Sequence, residues 1–303
     1  MSSPSRVRAK WTAIAGVPLL FLAIAALQVR IDAQTRSEAQ EEEEMLLRSG
    51  KAIKSLSLGY DSLLADIYWT RVVQYYGERV GKDTATFGLL WPLLDVTTTL
   101  DPKLMVAYRF GAIFLSEPGT VGANRPDLAV ALIKRGIAAN PNQWRLNGDL
   151  GFLYYWTLKD YPSAAQAYLD GSKVPGAAPW LKMMAARVAE KGGSLETSRM
   201  IWSELYDSTQ DPSIRHRALE MLRGLKTVED EKSLDDLAGQ YRRRFQRYPA
   251  STQDLRDAGL IPGIPVDVDG FPYVFGPDGK SHLDPQSTVV IPKDLATQPT
   301  ARN

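Results

Sequence analysis

The carboxylates near the end of the chain are the first residues to test for chemistry. In IPVDVDGFPYVFGPDGK (264–280), Asp267, Asp269 and Asp278 surround a short aromatic run amid three glycines and three prolines. Oxygen ligands at alternate positions suit a hard cation such as calcium. An EF-hand loop begun at Asp267 puts Asp269 at its third position. Its fifth and sixth positions then fall on Phe271 and Pro272, where an oxygen ligand and a glycine are required. The twelfth is Asp278, shorter than the bidentate glutamate the loop needs. That excludes an EF-hand and leaves the three aspartates as weak candidates for a looser metal site. Asp61 and Asp66 stand five apart, do not stack on one helix face, and read as polar caps or partners of Arg71.

Other chemistries lack their residues. There is no cysteine, so disulfides, thiolate metal sites, iron–sulfur clusters and a cysteine nucleophile are excluded. His216 and His282 are the only histidines, too few for an ordinary zinc site and a poor basis for a catalytic triad. No glycine-rich phosphate loop, GxSxG elbow or HExxH occurs. The expectation is a protein that is not an enzyme and carries no cofactor. Thirty-six basic and thirty-five acidic residues give a net charge of +1, with no basic domain for a nucleic acid.

The N-terminus carries a stronger signal. Arg6, Arg8 and Lys10 precede nineteen uncharged residues, 11–29, and Arg30 closes the run. At 1.5 Å rise per residue this length just crosses a hydrocarbon core of about 30 Å. Ala23-Ile24-Ala25 also fits a small-x-small cleavage site, but the apolar run continues past it, which favours an uncleaved anchor. Basic residues before the span keep the N-terminus, 1–10, inside the cytoplasm and export the bulk of the chain. The expected location is a bacterial cytoplasmic (inner) membrane, crossed once. Residues 30–55, with the acidic run Glu41–Glu44, read as a charged helical stalk with a solvated face.

From about Leu56 the apolar residues recur at helical spacing, as at 60, 63, 64, 67, 68, 72 and 75. An internal repeat then emerges. Leu90, Leu94 and Thr97 lead to Pro102; Ala129, Ile133 and Gly136 lead to Pro141; Ala164, Tyr168 and Gly171 lead to Pro175. A fainter copy has Ser198, Trp202 and Leu205 before Pro212. The starts are 39, 35 and 34 residues apart, the longest interval containing SEPGTVGANRPD. Upstream helices repeat a small residue with an aromatic three later: Gly111 with Phe114, and Gly151 with Tyr154.

These residues resemble the tetratricopeptide repeat (TPR) family over about residues 56–226, with GFLYYWTLKDYPSAAQAYLDGSKVPG matching once one extra loop residue is allowed. The resemblance implies a mostly α fold, a membrane-anchored TPR-like α-solenoid whose repeats bury their apolar faces by stacking. It puts Arg145, Phe152, Tyr155 and Trp156 on the concave side, with Tyr108 from the copy before, as a partner-binding groove. The same aromatics would equally serve to fill gaps between helices. Residues 213–226 and 229–248 read as separate closing helices, with 227–248 as the cap. In YRRRFQRYP, Tyr241, Phe245 and Tyr248 form a stripe, and Arg242, Arg243, Arg244 and Arg247 make either a solvated face or a patch for an anionic partner.

The tail resembles the C-terminal region of major pseudopilins of type II secretion through Tyr248-Pro249, Leu255, Pro265, Asp267, Gly270, Pro272 and Tyr273. It departs from them at Val268, and residues 11–29 lack the pseudopilin N-terminal motif. Tyr273-Val274-Phe275 reads as a strand turned by Pro277-Asp278-Gly279, which gives a β-hairpin module over 249–292 before a disordered end, 293–303. The functional expectation is a non-catalytic, membrane-anchored scaffold that binds a protein or peptide partner in assembly of a bacterial envelope complex. A subunit or assembly factor of a secretion or pilus-like system, and an unrecognised envelope hydrolase, are the alternatives.

Overall fold

The computed structural model describes residues 50–83 and 86–291, together with Ile24, Ala26 and Leu27, which are helical. The expected cytoplasmic N-terminus, the rest of the apolar span, the stalk before residue 50 and the end from residue 292 lie outside the described residues. Among the described residues no helix is long and apolar enough to cross a membrane. The architecture is mostly α, with a two-stranded sheet near the C-terminus. It divides into two compact units, one up to Ala107 and one from Tyr108.

The first unit holds α1 (Gly50–Leu56), α2 (Asp61–Arg79) and α3 (Leu90–Leu100). Both α1 and α2 pack on α3, whose Leu90, Leu93, Leu94, Val96 and Leu100 are buried. Two buried threonines in that apolar helix satisfy themselves. Thr97 and Thr98 donate their hydroxyls to the carbonyls of Leu93 and Leu94 at 2.7 and 2.8 Å. Lys54 donates to the Thr99 carbonyl at 3.0 Å, a cation at the negative end of α3. Tyr75 ties the α2–α3 loop down by donating to the Thr86 carbonyl and accepting from the Leu89 amide. Asp61 accepts from the Ser57 hydroxyl and does not cap the helix, whose N-cap position is Tyr60 with no side-chain cap.

In the second unit the chain runs from α4 (Met105–Ser116, whose first residues precede the division) to α5 (Pro126–Ala139) and α6 (Trp144–Phe152). Then come α7 (Tyr161–Ser172), α8 (Trp180–Lys191), α9 (Leu195–Ser208) and α10 (Pro212–Phe245). From α5 onward each helix packs on the next. The core gathers Tyr168, Leu181, Ala185, Ile201, Trp202 and Met221, the sort of mixed large and small set that lets helices approach closely. Boundaries follow local chemistry. Pro141 and Pro175 lie just beyond α5 and α7, while Asp160 and Asp211 cap α7 and α10 through their carboxylates. Pro212 therefore opens a helix instead of closing one.

The closing region differs from the expectation. No break occurs near residue 227: Pro212–Phe245 is one helix of 34 residues. Its middle contains no proline, and Gly224 is buried and tolerated within the helix. A second core forms where Leu234 and Tyr241 of α10 meet Leu255 of α11 (Thr252–Asp257) and Tyr273. The expected hairpin is present as β1 (Val274–Phe275) paired antiparallel with β2 (Ser281–His282). Gly279 adopts φ +79° in its turn, and a Cβ there would overlap the Tyr248 ring.

Candidate functional site

Helices α4 and α6 carry similar residues 40 positions apart. Gly111 and Phe114 correspond to Gly151 and Tyr154, and the same offset brings Arg109 opposite Asp149. Arg109 donates Nε to one carboxylate oxygen at 2.6 Å and an Nη to the other at 3.2 Å, a two-pronged bridge between the helices. Beside it Phe110 and Ile113 of α4 face solvent with Phe152 and with Trp156, 50, 48, 56 and 60 % exposed. Together they line a groove of about 160 Å³ that Ala112 and Leu153 also line, with Ser116, Glu117 and Thr157 toward its far end. Single exposed apolar residues are ordinary, whereas here four large ones converge on one concavity.

The backbone under this surface is unusual. Residues Leu153–Leu158 continue α6 as a π-helix, with i→i+5 bonding, and Lys159 ends it in the left-handed region at φ 55°. Such wide turns are rare and recur at functional sites. Phe152 and Trp156 lie nearly parallel here, 9° between planes and 6.3 Å between centroids. Lys159 sits 4.7 Å from the Trp156 ring centroid.

No family model, curated protein or solved structure matches the chain. The reading of the site therefore rests on the geometry of the chain itself.

The structure divides the five residues expected to line a groove. Phe152 and Trp156 do line one. Arg145 is exposed on the same stripe, one turn before Asp149, with its guanidinium 4.5 Å from the Trp144 ring. Tyr155 instead faces the next helix pair, 5.8 Å from Tyr161, and accepts a hydrogen bond from Lys191 at 2.8 Å. Tyr108 is fully buried and is not a groove residue. The correction has a steric cause: its ring lies where a Cβ on Gly136 would be, 2.8 Å away, so the glycine makes room for it. The sequence reading missed Arg109, Phe110 and Ile113. They flank the Gly111 and Phe114 pair already aligned with Gly151 and Tyr154, so extending that register by a few positions reaches them.

The three weak metal candidates do not converge. Asp267 is buried and accepts from the amides of Asp269 and Phe271, both at 2.9 Å, closing its own loop. Asp269 pairs with Arg223 and accepts from the Thr288 amide and hydroxyl at 2.8 and 2.6 Å. These donors, Thr288 first, hold its carboxyl below the usual range. Asp278 accepts from the Lys280 amide in the hairpin turn. Among the described residues no group of three potential ligands could hold a metal ion. The basic stripe is tied into the fold too. Arg242 donates to Tyr248, Arg244 to the Ala258 carbonyl, and Arg247 pairs with Asp254.

Proposed function

We propose that this chain is a non-catalytic, membrane-anchored scaffold of TPR-like repeats that holds a protein or peptide partner during assembly of a bacterial envelope complex. The observation that carries this reading is the groove. Four large apolar side chains, two from α4 and two from the segment of α6 and its continuation, converge in solvent beside the Arg109–Asp149 ion pair. Aromatic residues at the centre of a small concavity are what a partner's anchoring side chain uses. At about 160 Å³ the groove is smaller than the roughly 300–1,000 Å³ of small-molecule sites. Stacked helix pairs forming a curved solenoid would extend this groove along neighbouring first helices. The apolar span 11–29, with basic residues before it, supports the anchor and the exported location.

Capture of partners by the full chain from detergent-solubilised membranes tests the reading. Phe152→Ala combined with Trp156→Ala should lose a discrete partner that Leu219→Ala, an exposed change on α10, retains. Both proteins should melt at similar temperatures, because the altered side chains are largely exposed. Retention of every partner by the groove double variant would overturn the assignment. Protease added to intact spheroplasts should digest the repeats; full protection would contradict the exported orientation.

A further inference from the structure

Two cations flank the groove along the chain and are held on aromatic rings. Arg109 and Asp149 neutralise one another. Arg145 and Lys159, both exposed and bracketing the groove along α6, rest on tryptophan rings at 4.5 and 4.7 Å from the centroids. A ring face orients a cation without cancelling its charge as a carboxylate would. Glu117 is the opposing acid in the lining.

The groove volume narrows the occupant further. About 150 Å³ is enough to hold a benzene ring, so roughly 160 Å³ accommodates one aromatic side chain and little more. The parallel pair Phe152 and Trp156 offers such a ring both stacking and edge contacts. Resting on the peptide-binding reading above, we propose that the partner segment is acidic: one aromatic anchor seated between Phe110, Ile113, Phe152 and Trp156, flanked by carboxylates that meet Arg145 and Lys159. The anchor supplies the affinity, and the flanking charges supply orientation and discrimination against basic segments.

Fluorescein-labelled synthetic peptides of twelve residues test this by anisotropy with the full chain in detergent. One carries a central phenylalanine flanked by glutamates, a second the same phenylalanine flanked by lysines, and a third glutamates with alanine at the centre. The first should bind at least tenfold more tightly than either other, and more weakly as salt rises. Trp156→Ala should lower its affinity about tenfold. Arg145→Glu with Lys159→Glu should reverse the charge preference while circular dichroism stays unchanged. Equal or tighter binding of the lysine peptide would overturn the acidic assignment and leave the groove reading standing. Equal binding of the alanine peptide would overturn the aromatic anchor. If none of the three binds, the groove reading itself fails with it.

Discussion

Gly151 and Gly77 show how the same substitution takes opposite signs. Gly151 sits in α6 where a Cβ would come within 2.8 Å of the Tyr168 ring, which is buried and has no room to swing. Replacing glycine by alanine gains up to about 1 kcal/mol of helix propensity, and overpacking against a fixed ring costs about 1–3 kcal/mol. Gly151→Ala should therefore lower stability in urea unfolding by up to about 2 kcal/mol. Gly77 in α2 has nothing within 4 Å of its would-be Cβ, so Gly77→Ala should stabilise by about 0.4–1 kcal/mol. Glu231 offers a test by pH. Burial, ahead of the opposing influence of His282, raises its pKa in the folded chain. A raised folded pKa favours the fold fully below the unfolded value, about 4.3, and that contribution is lost as pH rises through the folded value. Glu231→Gln should melt higher than the wild type at pH 8 and alike at pH 4; the same difference at both would exclude ionisation as the cause. The close approaches at Gly136, Gly151 and Gly171 were legible at this scale, because a glycine beside helical apolar residues signals close packing. The burial of Tyr108 was not, since the space it fills belongs to Gly136 on another helix.

The helices were legible where punctuation marks them, as at Pro141 after α5 and Pro175 after α7. Two elements escaped the reading for want of such marks. The π-helix, Leu153–Leu158, has no residue signature of its own. The 34-residue α10 reads as two helices only because repeat helices are short; nothing between Thr227 and Glu229 breaks it. Its second half is held by the hairpin. Tyr273 donates to Asp230 at 3.0 Å, while Asp235 accepts from the Ser281 amide and hydroxyl and from Lys280 at 2.8–2.9 Å. Truncation after Ala250 removes these partners and uncovers Leu234 and Tyr241. The truncated protein should melt lower, and hydrogen exchange should accelerate in the second half of α10 but not in α7–α9. Uniform loss of protection would mean that the hairpin supports α7–α9 as well. Calcium should not raise the melting temperature of the full chain, because Asp267, Asp269 and Asp278 are each engaged elsewhere.

For the whole molecule, the mostly α architecture and the terminal hairpin could be read in advance from apolar spacing and turn residues. The site was half legible: Phe152 and Trp156 were expected there, whereas the two-pronged contact of Arg109 with Asp149 joins two helices and emerges only when they pack. The account joins an anchored chain to an exported groove that receives an anchor residue from a partner. Its central claim is most directly tested by placing a photo-crosslinking benzoylphenylalanine at position 110 or 152, and at Leu219 as an exposed control, in the full chain in living cells. The account predicts the same discrete adduct from both groove positions and none from 219. Identical adducts from all three positions, or none from either groove position, would contradict it.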